Sequence, residues 1–288
     1  MSQPVCLFAL WSPEGILFPH QTHYLSELKS CGFRIVLAFS GAIRLPYETL
    51  AFCNVHDIET VLRQNAGLDF GAWSDLNTPA YLRDATEILL TNDSIIGPFA
   101  PLAPPLRRLR EKQADISGMV GSRLYRPHLQ SWFLLFKRKA FDRPAIQRIF
   151  ALPFASMSRD EIIWHGELGI AAAAQAEKLT LGALWHPNIM IDRWFPLNPM
   201  HFQWEHLITD GHVPFVKAEL LRSNAFNVPT RQAWENICHA SGFSPEDIQK
   251  WLETRPQRAS PAPSPLRRLF YRALAFIDRH AGRHQGRP

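Results

Sequence analysis

The sequence has few cysteines, and they follow no recognisable spacing. The four in 288 residues are Cys6, Cys31, Cys53 and Cys238, without any C-x-x-C pair. Zinc sites and the disulfide frameworks of small secreted domains both need closely spaced cysteines. The cysteine pattern therefore favours neither class of protein.

Long apolar runs are also absent. Residues 1–10 carry no lysine or arginine, and their apolar run covers only residues 5–10. That run is too short for a signal peptide, and no uninterrupted run approaches the roughly 18 residues of a membrane-spanning helix. We therefore expect a cytoplasmic protein.

Basic charge is scarce outside the C-terminal end. The formal net charge is +5, but residues 255–288 hold eight arginines and one aspartate. The preceding 254 residues hold 23 basic and 25 acidic side chains. A main domain so close to neutral lacks the basic surface that nucleic acid attracts, so we predict no nucleic-acid partner.

The basic end of the chain divides into three segments after a predicted domain at residues 1–254. Residues 255–265 form a proline-rich linker, residues 266–282 a basic amphipathic helix and residues 283–288 a disordered tail. The helix places Leu269, Phe270, Leu274 and Ile277 on one face. It could lie on an anionic membrane, making the protein peripheral on the inner face of the plasma membrane. The alternatives are a helix docked on protein and a disordered tail.

Apolar runs alternate with helical patterns in the first third of the chain. The runs predict strands at residues 5–10, 34–39, 49–53 and 87–91, with helices at residues 20–30 and 58–64. Further along, strands are predicted at residues 116–121 and 131–137, and helices at residues 159–175, 215–222, 230–238 and 244–252. This order predicts an α/β fold with a mostly parallel sheet flanked by helices.

Two polar clusters follow predicted strands or crossovers, where open parallel sheets bind ligands. The first, residues 63–73, reads RQNAGLDFGAW, and the second, residues 91–98, reads TNDSIIGP. Glycines let the backbone approach a ligand, and Asn and Asp offer directed hydrogen bonds. An aspartate directly after a strand could hold a divalent cation. Each cluster could equally be an ordinary turn or helix cap.

A third string makes the set specific. Residues 128–136 read HLQSWFLLF, and with the two clusters they resemble the rhamnan-synthesis F family of bacterial glycosyltransferases. That family has N-x-G-x-D-F-G, then N-D-S-x-x-G-P-F, then H-L-Q-S-F-F-L. Its isolated glutamate before a glycine is matched by Glu167, and its late P-F-x-K-x-x-x-L is matched by residues 214–221. The resemblance covers about residues 20–252.

The resemblance implies a GT-A-like, Rossmann-type fold with a C-terminal helical extension. It also implies an inverting glycosyltransferase that moves a deoxyhexose, rhamnose, from a nucleotide diphosphate donor to a growing polysaccharide. The partners it implies are a nucleotide-sugar donor and a glycan acceptor, which in this class is often lipid-linked. No organic cofactor is expected.

The resemblance also assigns roles. Glu167 would be the catalytic base, and the pocket for the acceptor or sugar would include His128, Gln130 and Ser131. Asp93 would hold the diphosphate or its metal, Mg²⁺ or Mn²⁺, while that metal or basic groups such as Lys217 would stabilise the leaving group. The donor-binding residues would be Arg63, Asn65, Gly67, Asp69, Asn92, Asp93, Ser94 and Lys217.

Two departures from the family pattern keep an alternative open. Asn92-Asp93-Ser94 supplies one carboxylate where GT-A enzymes carry D-x-D, and Leu68 stands where members often carry arginine. The alternative is a catalytically silent glycan- or nucleotide-binding module on the same fold. Glu167 also has a structural interpretation, since acids are favoured in the first turn of a helix.

Overall fold

The computed structural model describes residues 2–187, 198–224, 228 and 230–256. The strands of this part of the chain are β1 Gln3–Trp11, β2 Arg34–Ser40, β3 Ile58–Arg63, β4 Ala85–Asn92, β5 Ile95–Ile96, β6 Ile116–Ser122, β7 His128–Leu129, β8 Phe133–Lys137, β9 Leu181–Trp185 and β10 Val216–Lys217.

Helices surround these strands. Those of the first 176 residues are α1 Pro19–Ser30, α2 Tyr47–Val55, α3 Leu68–Leu76, α4 Pro79–Leu82, α5 Ala103–Glu111, α6 Arg138–Phe141, α7 Pro144–Phe150, α8 Arg159–Ile162 and α9 Leu168–Ala176. A 3₁₀ turn spans Phe154–Ser156, and a π-helical turn, Ile163–Glu167, joins α8 to α9. The later helices are α10 Pro199–Phe202, α11 Trp204–Thr209, α12 Ala218–Arg222, α13 Arg231–Ala240 and α14 Pro245–Glu253.

The main sheet has the order β3-β2-β1-β4-β8-β6-β7, with β9 also paired to β6. Strands β1 to β4 are parallel, β8 runs antiparallel to both β4 and β6, and β9 is parallel to β6. The predicted α/β fold, a mostly parallel sheet flanked by helices, is confirmed.

The central strands are apolar on both faces because helices cover both sides of the sheet. In β1, Val5, Leu7 and Ala9 belong to one hydrophobic core. Cys6, Phe8 and Leu10 belong to the core on the opposite face. This alternation follows from the two-residue period of a strand. It explains why residues 5–10 read as an unbroken apolar run.

Two of the early predictions are wrong. Residues 49–53, predicted as a strand, lie in α2, and residues 58–64, predicted as a helix, form β3 apart from Gln64. Pro46 is the N-cap residue of α2, which begins at the next residue. Proline is tolerated at a helix start, so it fits this position. The β3 run pairs in register with β2, with Ile58 opposite Ile35. Pairing with the sheet outweighs its helix-like sequence pattern.

Two of the helices predicted from the sequence are not continuous in the structure. The helix predicted at residues 159–175 contains the π-helical turn, and the one predicted at 215–222 divides into β10 and α12. Strand β10 pairs antiparallel with β5, with Lys217 opposite Ile95. This pairing attaches the C-terminal helices to the segment that follows β4.

The C-terminal helices form a third core around Trp204, Trp234 and Trp251. The chain stays with this body up to at least Arg255, which packs on Trp251 and contacts Asp93. The predicted linker beyond residue 256, the helix at 266–282 and the tail at 283–288 lie outside the described residues. No helix in the described ranges is long and apolar enough to cross a membrane.

Candidate active site

The polar motifs meet at one edge of the main sheet. Strands β1 to β4 are parallel, so their carboxyl ends share an edge. Strand β8 is antiparallel to β4, so residues 128–132, which precede it, lie at that same edge. The Thr91 hydroxyl at the end of β4 donates to the Trp132 carbonyl oxygen at 2.8 Å. The topology therefore brings the second and third sequence motifs together.

Arg63, a predicted donor-binding residue, holds the loop after β3. Its Nε donates to Asp75 at 2.7 Å, its Nη1 to the Ser40 hydroxyl at 2.8 Å and its Nη2 to the Ala66 carbonyl oxygen at 2.7 Å. All three nitrogens are thus used within the protein. Asn65, also predicted to bind the donor, is exposed on the loop that Arg63 holds.

The loop then turns into α3 through two left-handed residues. Gly67 has φ +73°, and a Cβ there would come within 2.8 Å of the Phe154 Cβ. Leu68 follows with φ +51°. The turn places Asp69 in the first turn of α3, where its carboxylate accepts from the Asn92 side chain at 2.7 Å. The first and second motifs are therefore in direct contact.

The Asn92-Asp93-Ser94 segment is held by its own side chains and by two distant residues. Asn92 Oδ1 accepts from the Ser94 backbone N–H at 3.0 Å and from its hydroxyl at 2.6 Å. The buried Asp93 carboxylate accepts from the Trp11 backbone N–H at 3.1 Å and from Arg255 Nη2. Asp93 is therefore part of an ion pair.

These contacts fit a divalent cation at Asp93 poorly. A guanidinium already lies against the carboxylate, and a second cation would be repelled by it. The Asp69 carboxylate and the Asn92 amide are bonded to one another. Among the described residues, no group of three or more His, Cys, Asp or Glu side chains is arranged to hold a metal.

Glu167 is bonded to the third motif. Its Oε2 accepts from the Ser131 backbone N–H at 2.8 Å and from the Ser131 hydroxyl at 2.5 Å, and its Oε1 lies 3.4 Å from His128 Nε2. The other ring nitrogen of His128 lies 2.7 Å from the Arg126 carbonyl oxygen. Because both neighbours of the ring are acceptors, the arrangement favours an imidazolium that carries both protons.

The pKa values follow from this pairing. Burial by itself would raise the pKa of Glu167, but the hydrogen bonds and charge of His128, with Ser131 and Lys217, lower it to about 2. Burial opposes the imidazolium, yet the hydrogen bond and charge of Glu167 raise the pKa of His128 overall. Burial lowers the pKa of Lys217, opposed by the charges of Glu167 and Asp69. The negative charges of Glu167 and Asp69 therefore both favour the charged form of Lys217.

Glycines at two contacts join the motifs. A Cβ on Gly166 would come within 2.9 Å of the Phe70 ring, so the turn that carries Glu167 packs directly on α3. A Cβ on Gly97 would come within 2.4 Å of the Pro214 carbonyl oxygen, and that oxygen accepts from the Phe99 N–H at 2.8 Å. The second motif and the late P-F-x-K string therefore pack against each other.

The Gln130 side chain is hydrogen-bonded to Asn198 and Trp132 beneath the site. Its Nε2 donates to Asn198 at 3.0 Å, and its Oε1 accepts from the Trp132 indole N–H at 2.9 Å. The side chain is buried. These contacts give Gln130 a structural role beside His128 and Ser131, with which it was grouped from the sequence.

A mainly apolar groove lies along the π-helical turn that carries Glu167. Trp164, in the π-helical turn, is 52% exposed, and the Arg126 guanidinium lies 4.9 Å from its ring centre. A groove of about 440 Å³ runs beside them between α7 and α9, lined by Ile149, Leu152, Gly169 and Ala173 among others. Interrupting an α-helix with a π turn often marks a functional position.

Sequence reasoning missed four residues of this region. Trp11 ends β1 at the same edge of the sheet as Asp93, so the rule that selected residues at strand ends would also have selected it. Trp164 stands three residues before Glu167 and could have been noted as an aromatic side chain beside a proposed base. Arg126 and Arg255 carry no local signal, because only tertiary contacts show what each of them touches.

Comparison with known proteins identifies the family. The model of rhamnan synthesis protein F matches residues 50–253, more than half of the 288-residue chain. No curated protein has a significantly similar sequence.

Distant likenesses exist among solved structures. HddC from Yersinia pseudotuberculosis is 12% identical with a TM-score of 0.34, over 49% of this chain and 80% of its own. Glucosyl-3-phosphoglycerate synthase from Mycobacterium tuberculosis, solved with uridine diphosphate, is 9% identical with a TM-score of 0.33, over 84% and 81%. These scores are too low to support an argument about activity. The family match over most of the chain is decisive, and the chain belongs to the rhamnan synthesis protein F family.

Proposed function

We propose that the protein is an inverting glycosyltransferase that moves a deoxyhexose, rhamnose, from a nucleotide diphosphate donor to a growing bacterial polysaccharide. Membership of the rhamnan synthesis family supports this proposal. One structural observation carries it. Glu167 follows Gly166 and Asp69 precedes Phe70, and Gly166 packs directly on the Phe70 ring. A carboxylate suited to an acceptor and a loop suited to a donor therefore meet at one edge of the sheet.

In the proposed step, the oxygen of an acceptor hydroxyl attacks the anomeric carbon of the donor sugar. The bond from that carbon to the diphosphate oxygen breaks, and its electron pair stays on the diphosphate. The hydroxyl proton passes to Glu167 as the new bond forms. In this proposal Lys217 offsets negative charge on the diphosphate, and Asp69 with Asn65 binds the nucleoside side.

The low pKa of Glu167 sets a condition on this role. A carboxylate with a pKa of about 2 is a weak base, because His128, Ser131 and Lys217 stabilise its charge. An acceptor hydroxyl that replaces the Ser131 hydroxyl or weakens the contact with His128 would raise that pKa. We propose that acceptor binding rearranges these two contacts and so activates the base.

The acceptor would occupy the Trp164 side of the cluster. An exposed indole packs on the apolar face of a sugar ring, and Arg126 offers donors to hydroxyl or phosphate groups. We propose a lipid-linked acceptor and a peripheral place at the inner membrane surface, which rests on the predicted C-terminal helix.

A thermal-shift screen tests the donor site. The purified protein is heated with dTDP, UDP and GDP and their sugars, with and without magnesium or manganese. A nucleotide at a hundredfold excess over its dissociation constant adds about 2.7 kcal/mol of stability, which raises Tm by roughly 5–10 °C. We expect one base to be selected and the shift to be lost in Asp93→Ala. No shift with any nucleotide would refute a donor site.

Activity separates the transferase from a silent binding module. The turnover of the selected nucleotide sugar is measured with wild type and Glu167→Gln. We expect transfer to fall about 10²–10⁴-fold in the variant while donor affinity is kept. Near-normal transfer would refute the role of Glu167, and donor binding with neither hydrolysis nor transfer in the wild type would identify a binding module.

A further inference from the structure

The ion pair at Asp93 joins two ends of the folded part of the chain. Asp93 follows β4 at the ligand-binding edge, and Arg255 follows α14, 162 residues later. The Asp93 side chain is 5% exposed and the Arg255 side chain 12% exposed. Asp93 is the position where the sequence predicted a metal or a diphosphate. Arg255 therefore brings a fixed positive charge to that position.

Aromatic rings hold the guanidinium. Its central carbon lies 5.0 Å from the Trp11 ring centre and 4.5 Å from the Trp251 ring centre. The His20 ring packs edge-on against Trp251, with ring centres 4.4 Å apart. Stacking on aromatic faces suits a planar, weakly hydrated guanidinium better than it suits a lysine ammonium. The position of Arg255 is thus set before any ligand arrives.

The guanidinium keeps a donor that the described part of the protein does not use. Its contact with Asp93 uses Nη2, whereas its Nε is buried and has no hydrogen-bond partner in the described ranges. Both ring nitrogens of His20 are likewise buried without a partner there. A buried donor without a partner is costly, so native proteins rarely retain one unless something else satisfies it. Phosphate oxygens match the fork of an arginine.

We propose that Arg255 binds the diphosphate of the nucleotide-sugar donor and takes the place of a divalent cation at Asp93. The inference rests on the proposed transferase function and adds a residue to it. Arg255 would donate to phosphate oxygens as the departing oxygen gains the electron pair. Asp93 would act as a positioning residue that orients the guanidinium. Donor binding then needs no divalent cation.

Calorimetric titration with dTDP, UDP and GDP tests this proposal. Wild type, Arg255→Met and Arg255→Lys are each titrated in EDTA and in magnesium chloride. Methionine keeps an unbranched stem between the two tryptophans and removes the charge, while lysine keeps the charge and removes the fork. Arg110→Met is the matched control, because Arg110 also pairs with an acid, Glu87, and lies 5.8 Å from a ring centre, that of Phe33. It lies away from the ligand-binding edge.

We expect wild type to bind its nucleotide equally well in EDTA and in magnesium. In EDTA, Arg255→Met should lose about 10–100-fold in affinity, the value of one hydrogen bond to a charged group. The affinity of Arg255→Lys should lie between those of wild type and Arg255→Met, and the affinity of Arg110→Met should match that of wild type. Magnesium should partly restore Arg255→Met, because the freed Asp93 carboxylate can then bind a cation.

Other outcomes overturn the proposal in distinguishable ways. If EDTA abolishes binding to wild type, or both Arg255 variants bind as wild type does, Arg255 is not the diphosphate cation although the donor site stands. If wild type binds none of the three nucleotides in either buffer, the proposed function itself fails. Circular dichroism of each variant confirms folding, and Arg255→Lys carries the test if Arg255→Met does not fold.

Discussion

The contacts of Glu167 predict how strongly a glutamine at that position destabilises the protein. Glutamine keeps one acceptor oxygen, but its NH₂ group must face either the Ser131 donors or His128. The substitution also removes the charge that favours the imidazolium. Since hydrogen bonds to charged groups contribute about 1.5–3 kcal/mol each, we expect Glu167→Gln to lower the free energy of unfolding by about 2–3 kcal/mol at neutral pH.

The pKa values predict how this difference changes with pH. The folded-state pKa of Glu167, about 2, lies below its ordinary value of 4.5, so its contribution is complete above pH 4.5 and is lost as pH falls toward 2. The shift corresponds to a contribution on the order of 3 kcal/mol. The folded-state pKa of His128 is raised above 6.5. Its contribution to the free energy of unfolding is therefore complete below pH 6.5 and is lost as pH rises through the folded-state pKa. The difference in unfolding free energy between wild type and Glu167→Gln should therefore be largest between pH 4.5 and pH 6.5.

Urea denaturation followed by tryptophan fluorescence measures this difference at about pH 3, 5.5 and 8. The control is Glu111→Gln, whose carboxylate forms an exposed pair with Arg107. Exposed pairs contribute at most about 1 kcal/mol, so the control should differ little from wild type. The hydrogen-bonded network of Glu167, Ser131 and His128 would be refuted if Glu167→Gln lowered the free energy of unfolding by less than about 0.5 kcal/mol at about pH 5.5. A loss that grows toward about pH 3 would also refute it.

Two further substitutions test the geometry around the site. Gly97→Ala should lower stability by about 2 kcal/mol or more, because Gly97 has φ +134° and its Cβ would meet the Pro214 carbonyl oxygen. Gly32→Ala is its control, with φ +85° and no atom within 4 Å of the Cβ, and equal losses of Tm in the two variants would contradict the close contact. Trp164→Ala should raise the KM for the acceptor about 10-fold without changing donor affinity, because it removes apolar area from the groove. An unchanged acceptor KM would place the acceptor elsewhere.

The early strands could be predicted from the sequence because their signal is local. Strands β1, β2 and β4 are apolar runs that helices cover on both faces, and such runs are distinctive. The order of strands and helices then implied a parallel sheet. The family resemblance, and not the strand pattern, grouped Asp69 and Asn92 as donor-binding residues, because the segment before Asp69 was predicted as a helix.

Short segments without a clear period were beyond sequence reasoning. Residues 58–63 contain apolar side chains that suit a helix or an edge strand, and only pairing with β2 selects the strand. Lys217 was predicted to lie in a helix, yet pairing with Ile95 places it in β10. In both segments the hydrogen bonds that decide the structure come from residues distant in the sequence.

The sequence by itself determined the α/β class, the family and the motif residues around Glu167. Tertiary structure alone decided what each motif residue contacts, since hydrogen bonds and charges act through space. In the folded chain, all three guanidinium nitrogens of Arg63 form hydrogen bonds. The fold also lowers the pKa of Glu167 and brings Arg255 into contact with Asp93. No local pattern encodes an ion pair between residues 162 positions apart, because only the folded chain sets the distance between them.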